Sequence, residues 1–141
     1  MQIAVIYWTG SGNTEAMAAA VAEGAKSAGA GVDLFQVSEV DAAKAAGYDA
    51  LALGCPAMGA EVLEEGEFEP FFTDLEPKLG GKKLALFGSY GWGDGQWMRD
   101  WQERAENAGA LLCQDGLMAH EVPDADALAA CQALGQALAQ S

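Results

Sequence analysis

The sequence predicts an α/β protein with a doubly wound sheet of five parallel strands, ordered 2-1-3-4-5, and helices on both of its faces. Short apolar runs without polar alternation, such as residues 3–7, are typical of strands buried on both faces of a parallel sheet. Segments with helical spacing, such as residues 14–28 with Met17 and Val21 four apart, separate these runs. Because the connections are short, the alternating elements are expected to form one open, covered sheet.

The predicted strands are short and rich in apolar residues, and they lie at residues 3–7, 32–37, 50–53, 83–87 and 111–113. The second strand is expected near an edge of the sheet, because polar residues interrupt it. The fifth strand can extend over residues 117–119.

The predicted helices lie at residues 14–28, 40–46, 68–75, 96–108 and 124–139. Gly29 stands past the end of the first helix, and Asp124 suits the amino-terminal cap of the last. Acidic residues lead into the third helix, where they suit the positive end of the helix dipole. Trp97 and Trp101 lie four residues apart on the fourth helix, which indicates core packing rather than a binding role.

Composition favours a single folded domain over residues 1–141. Hydrophobic residues make up 51% of the chain, and its length suffices to bury a core. No apolar run approaches the ~20 residues of a membrane span, and no signal-peptide pattern precedes the first strand, so we expect a cytoplasmic protein. Cys55, Cys113 and Cys131 lack metal-ligand spacing and are expected to be reduced thiols, so no metal site is predicted.

The charge argues against nucleic acids and membranes as partners. The net charge is −14, and all seven cationic residues lie outside the loops described below. Acidic residues concentrate in two segments, as Glu61, Glu64, Glu65, Glu67, Glu69 and Asp94. They are interpreted either as a solvated surface or as a docking surface for basic patches on partner proteins.

The turn between the first strand and the first helix has the sequence Thr9-Gly10-Ser11-Gly12-Asn13-Thr14, here named loop one. Such a loop wraps backbone N–H groups around a phosphate and presents a helix amino terminus to it, and its three hydroxyls add donors. Asn13 stands where a nucleoside triphosphatase loop needs lysine, and Glu15 where a dinucleotide-binding loop needs glycine. The loop therefore suits one terminal phosphate monoester bound without a cation.

Two further loops begin where predicted strands end. Loop two (residues 55–64) contains Pro56-Ala57-Met58-Gly59-Ala60-Glu61, and loop three (residues 88–95) contains Ser89-Tyr90-Gly91-Trp92-Gly93-Asp94. The three loops follow strands one, three and four, so they are expected to form one site at the same sheet edge. Trp92 lies between glycines and has no periodic face to bury, which favours a binding role for this residue.

In this order, the three loops resemble those of short-chain flavodoxins from anaerobic bacteria, which are FMN-binding electron carriers with a flavodoxin-like fold. The resemblance extends beyond Trp101 and thins after about Gly109. It implies FMN contacts with Thr9, Gly10, Ser11, Gly12, Asn13, Thr14, Pro56, Ala57, Met58, Gly59, Glu61, Ser89, Tyr90, Gly91, Trp92, Gly93 and Asp94. It also implies that Met58 and Trp92 cover the two faces of the flavin ring and that Glu61 lies at the ring N3.

The function implied by the resemblance is low-potential transfer of single electrons between redox enzymes, through the semiquinone and hydroquinone states of bound FMN. Such a protein is an electron carrier and not an enzyme. Its partners are expected to be ferredoxin-type donors and acceptors with basic docking patches, and the protein itself is expected to be a monomer. An FMN-dependent quinone or nitro-compound reductase is the main alternative, although no segment offers a nicotinamide site.

Two further classes lack required residues, and two positions depart from the family pattern. A receiver domain needs paired acids at the end of the first strand, and a cysteine phosphatase needs its nucleophile in loop one; neither is present. Pro56 stands where relatives often have serine, which removes one hydroxyl contact. The resemblance also implies that the Gly59 carbonyl turns toward the ring N5 when the flavin takes up its first electron. Ala60 follows this glycine, where relatives often have Asp or Asn, and the positive φ expected at Ala60 in the flipped peptide is costly for alanine. His120 is assigned no role.

Overall fold

The computed structural model describes all 141 residues and contains one parallel sheet. Its strands are β1 Gln2–Tyr7, β2 Gly31–Gln36, β3 Ala50–Gly54, β4 Lys83–Tyr90, β5 Leu111–Leu112 and β6 Leu117–His120. The order across the sheet is β2-β1-β3-β4-β5, with β6 also paired to β4. The predicted order 2-1-3-4-5 is therefore confirmed.

The predicted fifth strand and its extension form two segments along the same side of β4. β5 pairs with the beginning of β4, and β6 pairs with its end, over Phe87 to Tyr90. Residues 113–116 leave the sheet between them, and Gln102 holds this excursion, since it donates to Asp115 Oδ1 (3.0 Å) and accepts from the Gly116 N–H (2.8 Å). β4 extends past its last pairing with β3 at Phe87, and its residues 88–90, paired with β6, lie at the carboxyl edge of the sheet.

The helices are α1 Asn13–Ser27, α2 Ala42–Ala46, α3 Phe68–Leu75, α4 Gln96–Asn107 and α5 Ala125–Ala139. Four agree with the predicted bounds to within one residue. The helix predicted at residues 40–46 begins only at Ala42, because Asp41 Oδ1 accepts from the Lys44 N–H (2.8 Å) and caps it. A 3₁₀ turn, Val37–Glu39, precedes it and includes the predicted last residue of the second strand.

The helices cover both faces of the sheet. α1 and α5 pack on one face, and α2, α3 and α4 pack on the other. Trp97 and Trp101 are each 1% exposed on the α4 side, so their predicted place in the core is confirmed. None of the five helices is both long and apolar enough to cross a bilayer.

Helices α1 and α5 pack with their backbones in direct contact. A Cβ on Gly24 would lie 1.9 Å from the Gln132 carbonyl oxygen, and one on Gly135 would lie 2.0 Å from the Val21 carbonyl oxygen. Because no side chain fits at either position, the two glycines set the separation of the helices. This contact fixes α1, whose amino terminus follows loop one, to the last helix of the fold.

Candidate functional site

A cleft of about 320 Å³ lies at the carboxyl edge of the sheet and brings the three loops together. Its volume is within the range of small-molecule sites. The lining residues are Trp8, Gly10, Ser11, Asn13, Pro56, Ala57, Met58, Ser89, Tyr90, Gly91 and Glu121. Nine of these eleven were predicted from sequence, and the cleft is where the doubly wound topology expects a ligand.

Loop one leaves backbone donors free at the amino terminus of α1. Gly12 has a φ of 94° and donates its N–H to Thr9 Oγ1 (3.0 Å), which folds the loop into a turn. The first intrahelical bond runs from Ala16 to the Gly12 carbonyl, so the N–H groups of Asn13 and Thr14 have no acceptor in the protein. An anion suits these donors, because they point out of the positive end of the helix dipole.

The acidic side chain next to these donors is turned to another partner. Glu15 Oε2 accepts a hydrogen bond from the Tyr7 hydroxyl (2.9 Å). Burial and this carboxylate raise the pKa of Tyr7 to about 12. Glu15 therefore does not satisfy the free N–H groups of the first turn of α1.

A buried hydroxyl pair joins loop one to loop three. Thr14 Oγ1 and Ser89 Oγ lie 3.0 Å apart, and both residues are buried. Ser89 also accepts the Ala57 N–H through its carbonyl (3.0 Å), so it ties loop two to the same point. Ser89 lies on β4 past its last pairing with β3, and its two contacts connect all three loops at one point.

Trp8 lines the cleft but was not among the predicted site residues. A Cβ on Gly10 would lie 3.2 Å from Trp8 Cη2, so the indole lies directly against loop one. Trp8 Nε1–H donates to Glu67 Oε1 (3.3 Å), which connects loop one to the segment before α3. The signal that could have identified it is its position, as an aromatic residue between a buried strand and a phosphate-type loop.

Loop two begins at a core residue, and its next three residues line the cleft. Cys55 is fully buried directly after β3, and burial raises the pKa of its thiol. Its carbonyl accepts the Trp97 Nε1–H (3.1 Å). Pro56 and Ala57 follow and form part of the cleft wall.

A tight hairpin follows, in which Met58 and Val62 exchange two backbone hydrogen bonds of 2.8 and 3.0 Å. The left-handed residues of this hairpin are Gly59, with a φ of 49°, and Glu61, with a φ of 56°. Ala60, between them, does not have a positive φ in this structure, and the positive φ expected there in the flipped peptide stays a prediction. Met58 reaches the cleft as predicted.

Glu61 caps α4 rather than lining the cleft. Its Oε1 accepts from the N–H groups of Gly95 (3.2 Å) and Gln96 (3.0 Å), at a helix start whose own cap is a glycine. A Cβ on Gly93 would lie 2.3 Å from the Glu61 carboxyl carbon, so this glycine makes room for the contact. Glu61 thus links loop two to loop three, and its implied place at a ring nitrogen stays a prediction.

Eight of the predicted site residues do not line the cleft, and they are Thr9, Gly12, Thr14, Gly59, Glu61, Trp92, Gly93 and Asp94. Trp92 is 70% exposed, so it is not a core residue, and its place over a flavin ring stays a prediction. Asp94 is exposed and pairs with Arg99 at 3.0 Å. Trp92, Gly93 and Asp94 directly follow Gly91, the last residue of loop three that lines the cleft.

The acidic segment is not a shell of free charges. Glu64 accepts the N–H groups of Gly66 (2.8 Å), Glu67 (2.7 Å) and Phe68 (2.9 Å), so it caps the start of α3. Desolvation acts to raise the pKa of Glu64, but these hydrogen bonds outweigh it and hold the pKa below its usual range.

Glu69 is also engaged, on the side of the fold next to α4. The Arg104 guanidinium donates to both Glu69 oxygens and to Glu76 Oε1, and its hydrogen bonds lower the pKa of Glu69 although desolvation opposes them. The interpretation of the six acids as one solvated cluster is therefore wrong for Glu64 and Glu69, which stabilise α3.

We expect Glu64→Ala to lower the free energy of unfolding by about 1 kcal/mol at pH 7, because it removes the cap of α3. The folded-state pKa of Glu64 is depressed, so its contribution is present above its unfolded pKa and is lost as pH falls through the folded pKa. The difference between wild type and variant should therefore shrink below about pH 4. Urea titrations of the apoprotein at several pH values measure this difference.

The matched control is Glu65→Ala, which changes an exposed neighbour that makes no hydrogen bond. Its effect should stay within about 0.5 kcal/mol at every pH. Equal losses in the two variants, or a difference that does not change with pH, would contradict the capping role of Glu64.

The strand order defines a doubly wound protein, and its cleft lies at the carboxyl edge of the sheet, where the strand order reverses. With the free N–H donors at the start of α1, this is the class of protein that binds a phosphorylated ligand. The flavodoxin family model matches residues 5–135. The flavodoxin of Megasphaera elsdenii is 46% identical over 139 residues, covering 99% of each chain. That of Clostridium beijerinckii is 49% identical over 120 residues, covering 85% of this chain and 87% of its own.

Solved structures agree with these relatives. The solution structure of two-electron reduced Megasphaera elsdenii flavodoxin superposes with a TM-score of 0.87 at 47% identity, covering 99% of both chains. A flavodoxin from the domain Archaea gives 0.89 at 26% identity, covering 99% of this chain and 97% of its own. The chain belongs to the flavodoxin family. It is an electron carrier that works through bound FMN, not an enzyme, and its role requires redox partners.

The cleft fits FMN in its chemistry. Free N–H groups at the start of α1 suit the phosphate. No lysine or arginine lines the cleft, so these N–H groups and the loop one hydroxyls are the donors that face a phosphate there. Gly10 and Gly91 leave room for close backbone approach, and Met58 and Tyr90 supply apolar surface of the kind that a flat ring requires.

Proposed function

We propose that this protein is a low-potential carrier of single electrons, and that residues 1–141 work as one FMN-binding domain. The observation that carries the proposal is the start of α1, where free N–H groups lie at a cleft whose remaining walls are largely apolar or small. Such a cleft suits a ligand with a phosphate at one end and a flat aromatic ring at the other. FMN supplies the capacity to accept and release electrons one at a time.

The proposed contacts divide between the two ends of the ligand. The N–H groups of residues 13–15, with the loop one hydroxyls, hold the phosphate. Met58 and Trp92 enclose the ring, and the loop three backbone meets its polar edge at Gly91 and Gly93. Glu61 has one carboxylate oxygen bound to the start of α4, which leaves its Oε2 available to a ring donor.

Charge supports the low potential. The cleft is lined by no lysine or arginine, and Glu121 is its one charged lining residue. An added electron therefore meets the phosphate and a carboxylate without a nearby cation, and like charges repel more strongly where water is excluded. This arrangement favours the oxidised cofactor and makes its reduced form a stronger reductant.

The proposed partners are redox proteins with basic docking patches. Glu65 and Glu67 are exposed beside loop two, and no salt bridge neutralises them. They support an acidic docking face near the cleft, which steers a basic partner by long-range attraction. The proposal also includes a monomeric state. A place in the cytoplasm is proposed as well, supported by three cysteines that form no disulfide.

The experiment that tests the proposal is a reductive titration of apoprotein loaded with FMN. A yellow complex should form, one-electron-reduced flavin should accumulate near half reduction, and NADH or NADPH should not be consumed with quinone or nitro acceptors. Steady consumption of either nucleotide would instead identify the reductase class. Failure to bind FMN would overturn the whole proposal.

A second arm of the same experiment measures electron transfer to a basic redox protein. The rate should fall about tenfold between low salt and 0.2 M ionic strength, because screening removes the attraction. A double variant with Glu65→Gln and Glu67→Gln should be slower at low salt and should respond less to added salt. A rate that does not depend on salt contradicts the acidic docking face.

A further inference from the structure

The residue after β6, Glu121, combines backbone strain with a place in the cleft wall. It has a φ of 58°, and Glu61 is the other non-glycine residue in the left-handed region. Such a conformation costs on the order of 1–3 kcal/mol and persists where the surroundings enforce it, commonly at functional sites. Unlike Glu61, which caps a helix, Glu121 makes no side-chain hydrogen bond within the protein.

Neighbouring contacts hold Glu121 beside loop three. Its N–H donates to the Tyr90 carbonyl at 2.7 Å, one step beyond the last pair of the β4–β6 ladder. The rings of Tyr90 and His120 meet edge to face at 5.1 Å, which supports the same corner. A Cβ on Gly91 would lie 3.9 Å from Glu121 Cγ, so the glutamate side chain runs alongside the Gly91 backbone. The residue after β6 thus places its carboxylate in the wall of the cleft.

Glu121 differs from the other acids near the site in one respect. Glu61, Glu64, Glu69 and Asp94 are each engaged by helix N–H groups or an arginine, and none of them lines the cleft. Glu121 lines it and has no cationic partner. Its charge acts directly on whatever occupies the cleft.

We propose that Glu121 sets the reduction potential of the cofactor, by weakening the binding of reduced FMN more than that of oxidised FMN. The physical basis is repulsion between its carboxylate, exposed at the cleft wall, and the negative charge that reduction adds to the ligand. The inference rests on the proposed function, since it requires FMN in this cleft. It deepens that function by assigning the tuning of potential to a residue outside the three loops.

The test compares Glu121→Gln with wild type in two measurements, the dissociation constant of oxidised FMN and the two one-electron midpoint potentials from an electrode titration. Oxidised FMN should bind within about twofold of wild type. Fully reduced FMN should bind about threefold to tenfold tighter, which raises the lower potential by about 28–59 mV. The shift should shrink as ionic strength rises. Glu103→Gln, an exposed change on α4 away from the cleft, should leave both potentials unchanged.

A second variant separates charge from backbone strain. Glu121→Gly removes the carboxylate and relieves the left-handed conformation, so it should shift the potential as the Gln variant does and also favour folding of the apoprotein several-fold. An unchanged lower potential in the Gln variant, or a shift confined to the Gly variant, would overturn the role of the charge. Loss of FMN binding by wild type would instead mark failure of the proposed function, and the two failures are therefore distinct.

Discussion

Trp101→Ala should lower the free energy of unfolding of the apoprotein by about 3–5 kcal/mol. The side chain is 1% exposed, and its ring meets Phe68 at 5.4 Å and Phe72 at 5.9 Å, both edge to face. Truncation leaves a cavity between α3 and α4 and removes both aromatic contacts. Urea denaturation followed by far-UV circular dichroism measures the effect, with a lower midpoint and an unchanged slope.

Trp101→Phe is the control that keeps most of the ring. Trp101 Nε1 is buried without a hydrogen-bond partner, so phenylalanine removes an unsatisfied donor together with part of the packing. The loss should therefore be about 1 kcal/mol, well below that of the alanine variant. Equal losses in the two variants would show that the aromatic contacts with Phe68 and Phe72 contribute little.

Trp92→Ala should weaken FMN binding by about 1–3 kcal/mol, or about 5- to 150-fold in dissociation constant, because it removes a large stacking surface. The stability of the apoprotein should change by less than about 0.5 kcal/mol, since the side chain is 70% exposed and makes no hydrogen bond. Titration of apoprotein with FMN, followed by quenching of flavin fluorescence, measures the affinity.

Trp92→Phe should retain a flat ring and lose less affinity than the alanine variant. Trp101→Ala, measured under conditions where it remains folded, should bind FMN nearly as wild type does. The stacking role of Trp92 fails if its alanine variant binds FMN with unchanged affinity. Comparison of the Trp92 and Trp101 variants would thus distinguish a binding residue from a core residue in one protein.

The layout of the fold follows from patterns that are local in the sequence. Apolar runs and helical spacing place the strands and helices, and their alternation indicates a doubly wound sheet, for which 2-1-3-4-5 is a common order and the observed one. The two segments of the last strand were predicted at residues 111–113 and 117–119, but the contact that holds the excursion between them was not predictable. It depends on Gln102, a residue of α4 that binds Asp115 and Gly116 from a distant part of the chain.

The site was predictable wherever a loop has a distinctive sequence. Gly10, Ser11 and Asn13 of loop one and the residues 56–58 line the cleft, since each of these loops follows a buried strand. Glu61 was assigned to the ligand, and that assignment stays a prediction. That its Oε1 also caps α4 was not predictable, since nothing in the sequence reveals that the start of α4 lacks a side-chain cap of its own. Trp8 and Glu121 were missed because one precedes the motif and the other follows a strand without any motif.

The glycine contact between α1 and α5 has a consequence for hydrogen exchange. Because the two helices touch through their backbones at Gly24 and Gly135, amides in the middle of α1 should exchange with solvent only through global unfolding. The hairpin from Met58 to Val62, held by two backbone bonds, should exchange through local opening instead. One end of the cleft is therefore expected to rest on the slowest-exchanging part of the molecule and the other on a fast-exchanging part, so the proposed phosphate end should stay rigid while the proposed ring end adjusts.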